Sequence, residues 1–288
     1  MTKRFLLATC LCVVSAASLV APVAAGPTAS PPAPTATPPA GAANTIQLVW
    51  LVYMTGIRFG TVGLKSSFAP GTYAAVSTLK TGGLVNVFYE ARIDARAAGM
   101  IAGGALKPQN YDANAKSKSK QRTQLAYSAA GIQLFADPAY NTERFPVTEE
   151  QKRGTLDPVS AMTFAISGLS VTAQRPCGDT LHVFDGARRY DVEFKFIQNE
   201  NLPADEDGYT GPTVKCEVIY KQIAGFKPSV KQGDKTYPIY VWGATFETHG
   251  PGPMRRFVVP VRIMTETQFG TAKAIARHIQ IDDEEKTK

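Results

Sequence analysis

The feature that most limits what this chain can become is a period of two. From residue 46 onward, apolar side chains recur at every second position, in short runs broken by glycine-bearing turns. A strand sends successive side chains to opposite faces, so such a period builds sheet and does not settle as helix. "IQLVWLVYM" (46–54), the turn Thr55-Gly56 and "IRFGTVGLKSSF" (57–68) read as a hairpin. "TYAAVSTLKT" and "LVNVFYEARIDARAAG" continue a meander around Gly82-Gly83, and residues 105–135 add further strands. The remaining strands fall near 180–184, 188–197, 213–223, 237–247, 256–267 and 271–281.

One stretch departs from this rhythm. In "GTLDPVSAMTFAIS", Asp157 suits a helix N-cap and Pro158 the first helical position. Val159, Met162, Phe164 and Ile166 then bury one side of a helix over 158–167, placed to plug an open end of the sheet. The fold class that follows is mainly β: about twelve or thirteen antiparallel strands in one large sheet, with one short helix. A sheet that wide curls or splits to hide its apolar face, which predicts an open barrel or β-spiral, or else a two-sheet sandwich.

The ends read differently. Lys3 and Arg4 precede the apolar run "FLLATCLCVVSAASLV", and "PVAA" supplies small residues, so residues 1–25 read as a signal peptide cleaved after Ala25. A retained membrane anchor is the competing reading, weakened by Ala21-Pro22 inside the run. Cys10 and Cys12 lie in this leader, where Thr9 is a poor residue for lipoprotein processing. Residues 26–44, rich in Pro, Ala and Thr and without charge, form a disordered linker. Residues 45–281 form a single β domain, and 282–288 a frayed, solvated tail. Removing Lys3 and Arg4 takes the formal net charge from +7 to +5, which is mildly basic. Together with the exported destination, this argues against nucleic acid as a partner.

Chemistry is sparse. There is no GxSxG elbow, HExxH, phosphate loop or dinucleotide fingerprint, and no cofactor or metal site is expected. Cys177 and Cys216 remain after processing; an even pair in an oxidising compartment reads as a disulfide, with two free buried thiols as the alternative. The three histidines, His182, His249 and His278, are scattered. "LHVFDGARRYDVEF" (181–194) concentrates acids, arginines and His182, yet Asp185-Gly186 marks it as a hairpin. Its polar residues Arg189, Asp191, Glu193 and Lys195 then share one solvated face. "KSKSKQR" would align Lys116, Lys118, Lys120 and Arg122 along one strand face. That stripe either meets anionic headgroups or envelope polymers, or protects an edge strand from pairing.

A groove follows from the alternation. Val49, Leu51, Tyr53, Ile57, Phe59, Val85, Val87, Tyr89, Tyr190, Val192 and Phe194 make apolar faces on several strands. In a sheet that curls without closing they line a concave site, unless the helix fills it. The principal groove candidates are Tyr53, Phe59, Val87, Tyr89, Tyr190, Val192 and Phe194.

The stretches "YMTGIRFGTVGLKSSF", "LKPQNYD", "RGTLDPVSA", "CGDTLHVFDGARRYDVEF", "CEVIYKQIAGFKP" and "PVRIMTETQFGTAKAIA" carry a resemblance over most of residues 50–277. The chain resembles the bacterial secreted family catalogued as domain of unknown function thirty-one-zero-eight. The resemblance implies a periplasmic protein, a β-rich open barrel and a Cys177–Cys216 pairing, and it supplies no catalytic residues. The functional expectation is a non-catalytic cell-envelope protein that binds a lipid-like ligand or an envelope protein partner in its curved sheet, with peripheral membrane contact. An envelope hydrolase or transferase using His249 or His182, and a purely structural scaffold, are the alternatives.

Overall fold

In the computed structural model, residues 43–83, 90–203, 208–227 and 237–286 are described. The leader and nearly all of the linker lie outside them, as do Val85, Val87 and Tyr89. The chain forms one antiparallel meander: β1 (Asn44–Met54), β2 (Ile57–Ala69), β3 (Thr72–Thr81), β4 (Arg92–Ala102), β5 (Ala105–Lys116), β6 (Lys120–Ser128) and β7 (Gly131–Asp137). Two helices intervene, α1 (Glu149–Lys152) and α2 (Pro158–Ser167). The second half is β8 (Leu181–Phe184), β9 (Arg189–Leu202), β10 (Gly211–Ala224), β11 (Ile239–Glu247), β12 (Arg256–Thr267), β13 (Gly270–Ile281) and β14 (Glu284–Glu285).

The strands join into one sheet in the order β7-β6-β5-β4-β3-β2-β1-β13-β12-β11-β10-β9-β8, with β14 on β13. β7 and β8 are its edges. The sheet curls until they approach each other: a Cβ on Gly186, in the β8–β9 turn, would lie 2.6 Å from Thr123 of β6 and 3.3 Å from Leu134 of β7. It does not close. The chain ahead of α2 runs beside β8 instead, and Leu156 exchanges backbone hydrogen bonds with His182 and Phe184.

Helix α2 occupies the inside of the curl, touching β3, β4 and β5 on one side and β8 and β12 on the other. Asp157 caps it by accepting from Val159 N and Ser160 N, and Gly168 ends it at φ 67°. The helix is buried around most of its circumference, including Ser160, Thr163 and Ser167, and not on one side alone. It takes its place by hydroxyl pairing as well as packing: Thr163 bonds Ser66 of β2 at 3.2 Å, and Ser160 bonds Tyr73 of β3 at 2.7 Å.

The structure corrects several expectations. In β1 the core residues are Ile46, Leu48, Trp50 and Val52, whereas Val49, Leu51 and Tyr53 are half-buried on the opposite face. β1 is paired on both sides and apolar on both faces, so a period of two could not say which face was inner. Asn44 belongs to the domain, not the linker: it is fully buried in β1. The tail is held as far as residue 286. Asp282 accepts from the Thr45 amide at 2.9 Å and from the Thr248 hydroxyl, and β14 pairs with β13. A second helix, α1, starts at a capping box between Thr148 and Gln151, a signal present in the sequence and overshadowed by the strand pattern.

Candidate functional site

The sheet leaves a cleft where it fails to close. One wall comes from the ends of β5, β6 and β7, with Leu106, Pro108, Tyr127 and Ile132; the other comes from α1 and the strap that follows it, ending at Leu156. Its volume is about 430 Å³, within the range of ordinary small-molecule sites. Lys107, Lys152 and Arg153 stand around it with one acid, Glu149, which pairs with Lys152 at 2.6 Å. Lys152 also lies over the ring of Phe184, 5.4 Å from its centroid. Local sequence sets this geometry: Gly131 turns β6 into β7 at φ 125°, and Gly154 releases α1 into the strap at φ 70°.

Behind the Tyr127 wall lies a buried polar cluster. Ser160 donates its hydroxyl proton to Asp157 at 2.5 Å, so the Tyr73 hydroxyl donates to Ser160. Asp157 is fully buried, and desolvation pushes its carboxyl up to about 6 even though Ser160 and the amides of Val159 and Ser160 favour the charged form. Burial raises the phenols of Tyr73 and Tyr127, and the nearby Asp157 charge adds to both. The Tyr127 hydroxyl is buried and has no hydrogen-bond partner among the described residues. That hydroxyl lies on the cluster side of the wall, within the influence of Asp157 and Tyr73. No sequence signal marked this cleft, because its walls come from segments far apart in the chain.

The groove candidates do not converge on one surface. Tyr190, Val192 and Phe194 pack against the core that α2 shares, while Tyr53 and Phe59 lie outside that cluster. Tyr53 instead carries Lys273 above its ring at 5.4 Å. Val87 and Tyr89 fall outside the described residues.

The proposed stripe of Lys116, Lys118, Lys120 and Arg122 is not one strand face. Residues 117–119 form the bend of the β5–β6 hairpin, closed by Ser117 N to Ser119 O, so Lys116 and Lys120 face each other across it. A turn resets the alternation on which the stripe depended. Arg122 lies further in and joins Arg96 on the buried carboxylate of Asp112. Burial raises that carboxyl, but the two guanidinium groups outweigh it and hold it below its usual range. Nor is this an edge strand, since β5 and β6 are each paired on both sides.

The β8–β9 hairpin forms as the sequence indicates, with Asp185 accepting from the amides of Ala187 and Arg188. Its polar face is not simply solvated: Arg189 is buried and binds Gln151 O, Tyr190 O and Asp191. His182 Nδ1 meets Asp191 at 2.5 Å, an acid–imidazole pair on the surface. Burial raises Asp191, and the bonds from His182 and Arg189 more than reverse that. Among the described residues no hydroxyl or thiol bonds to His182. His278 pairs with Glu285 at 3.2 Å, and His249 lies exposed in its loop. Among the described residues no three His, Cys, Asp or Glu side chains are grouped to hold a metal ion.

Cys177 and Cys216 form a disulfide across a Cα separation of 6.1 Å. It staples the segment after α2 to β10.

Compared with known proteins, the chain matches the family described as "Protein of unknown function (DUF3108)" over residues 49–277. No curated protein matches it. Among solved structures it is similar to the "Beta-barrel-like Protein of Domain of Unknown Function DUF1849 from Brucella abortus". That likeness has 10% identity and a TM-score of 0.43, over 84% of this chain and 99% of the other.

Proposed function

The chain belongs to the family of proteins of unknown function DUF3108, and from its own geometry we propose a non-catalytic periplasmic binding protein that holds a lipid-like anion in the seam cleft. The observation that carries this reading is the cleft itself. Its walls carry Leu106, Pro108, Tyr127, Ile132 and Leu156, and three cations and one acid stand around it. An apolar wall accepts an acyl chain, and clustered lysine and arginine hold a carboxylate or phosphate at its end. The periplasmic setting is supported by the apolar leader, the Pro/Ala/Thr linker and the Cys177–Cys216 bridge, which persists in oxidising compartments. The ligand sits at the seam and not in the concave interior, because α2 fills that interior.

The test is titration of the delipidated protein with a fluorescent fatty acid. We expect saturable binding that Ala130→Trp abolishes by filling the cleft from an exposed turn. Lys107→Glu weakens it about tenfold or more, as loss and reversal of one charge contact implies. Saturable binding untouched by both substitutions places the ligand elsewhere, and no binding by folded protein leaves the scaffold reading. Native mass spectrometry of protein from its own host separates a copurifying lipid from a protein partner.

A further inference from the structure

Sheet register brings together cations that the sequence keeps far apart. Lys80 of β3 lies directly opposite Arg92 of β4, Arg92 opposite Lys116 of β5, and Lys116 opposite Lys120 of β6. Directly opposed residues share a face, with Cβ atoms about 5 Å apart. Four exposed cations therefore form a row across four neighbouring strands, and exposed Lys118 extends it at the hairpin bend. Along β4, Asp94 bonds Arg92 at 2.5 Å, and exposed Glu90 lies two residues before it. Among the described residues no carboxylate pairs with Lys80, Lys116, Lys118 or Lys120.

Like charges directly opposed on a sheet destabilise it. Edge protection does not explain them, since β3, β4, β5 and β6 are all interior strands and β7 and β8 are the edges. The row invites an anionic surface.

Exposed apolar side chains stand at the same end of the meander. The β1–β2 and β12–β13 turns abut there, joined by Thr55 N to Thr271 O at 2.8 Å. They present Ile57 at 53% exposure and Phe269 at 43%. Exposed Arg58 follows Ile57, and Gly83, just after β3, lies against it: a Cβ on Gly83 would lie 2.9 Å from Arg58 O. Among the described residues, Ile57, Arg58 and Lys80 thus stand at the same ends of β2 and β3, beside the paired apolar turns. Glu266 is the acid beside the β12–β13 turn, where it accepts from the Thr271 hydroxyl.

We propose that this turn-bearing end docks on an anionic lipid bilayer, with Lys80, Arg92, Lys116, Lys118 and Lys120 at the headgroups and Ile57 and Phe269 in the headgroup–acyl boundary. Cations attract the surface over a Debye length, and the apolar tips gain only where hydrocarbon is within reach. A soluble polyanion uses the first and has nothing to offer the second, so the bilayer is the better fit. The cleft at the seam lies toward the opposite strand ends, so this surface stands independently of it.

The experiment is co-sedimentation of protein purified from its own host with phosphatidylcholine vesicles, with and without phosphatidylglycerol. All variants carry the same N-terminal segment ahead of residue 43, so any contribution from it cancels between them. We expect binding to the anionic vesicles that falls with added salt. Lys116→Gln with Lys120→Gln should lower the partition about 25-fold, about fivefold per lysine neutralised. Lys65→Gln with Lys195→Gln removes the same charge elsewhere and should leave the partition within twofold. Ile57→Ser with Phe269→Ser should also weaken vesicle binding several-fold. Equal losses for the two lysine pairs would overturn the proposal, because net charge alone would then be at work. It also fails if folded Lys116→Gln/Lys120→Gln protein binds as wild type does. Binding to a soluble polyanion that is indifferent to Ile57→Ser/Phe269→Ser, with no vesicle binding, assigns the row to a polymer and equally overturns it.

Discussion

Asp157 shows how one residue can serve a fold at a cost. It caps α2 from a fully buried position, where desolvation raises its carboxyl to about 6. A folded-state value above the unfolded one means that the native state binds the proton more tightly. Stability from this group is therefore fully present below about pH 4 and is lost as the pH rises through about 6. The linked free energy is on the order of 3 kcal/mol. Asn also caps helices and carries no charge, so Asp157→Asn should remove this slope. In urea unfolding at pH 4 and pH 7, wild type should lose about 2–3 kcal/mol relative to the Asn variant between the two pH values. Equal pH dependence in the two proteins would mean that water reaches the folded-state carboxyl and lets it titrate as it does in the unfolded chain. Asp157 was legible as a cap because Asp-Pro before an apolar run is a local signal; its burial was not, because the enclosing strands come from elsewhere.

Among the elements, α2 and the sheet that wraps it are matched through hydroxyls. The Ser66–Thr163 pair is fully buried at both ends. Removing one partner strands the other without water, so Ser66→Ala or Thr163→Val alone should cost about 1–3 kcal/mol. The double substitution should recover most of that, since neither polar atom is then left unsatisfied. A double-mutant cycle by denaturant unfolding reads the coupling, and strict additivity would show that the two hydroxyls act separately. The helix span 158–167 agrees between sequence and structure because N-cap, proline and αL glycine all act locally. The stripe at 116–122 is absent for a related reason: residues 117–119 bend where only a straight strand would align its cations. What replaced it, the row from Lys80 to Lys120, is a property of pairing register, and register belongs to no single element.

At the scale of the whole molecule, an open sheet must be held against unrolling. The strap at Leu156 along β8, the Asp282 contacts to Asn44, Thr45 and Thr248, and the Cys177–Cys216 bridge each tie distant parts together. The bridge spans a sequence separation of 39 residues. Closing a loop of that size stabilises by about 4 kcal/mol on the chain-entropy account. Cys177→Ser with Cys216→Ser should lower the unfolding free energy by about that amount, read by denaturant unfolding without reductant. A change under about 1 kcal/mol would show that the segment after α2 is held by its other contacts, such as Arg256 to Val171 O at 2.8 Å.

The sequence by itself determined the class of the fold, the meander of hairpins, the span and cap of α2, and the two cysteines available to pair. These rest on interactions a few residues long, or on composition, and a linear reading reaches them. Only the tertiary structure decided which face of β1 is inner, that α2 fills the curl, where the sheet fails to close, and which lysines stand side by side. Each depends on how far the sheet curls and at what register its strands pair. Those are set by packing summed over the whole chain, in which contacts between residues hundreds of positions apart weigh as much as those between neighbours.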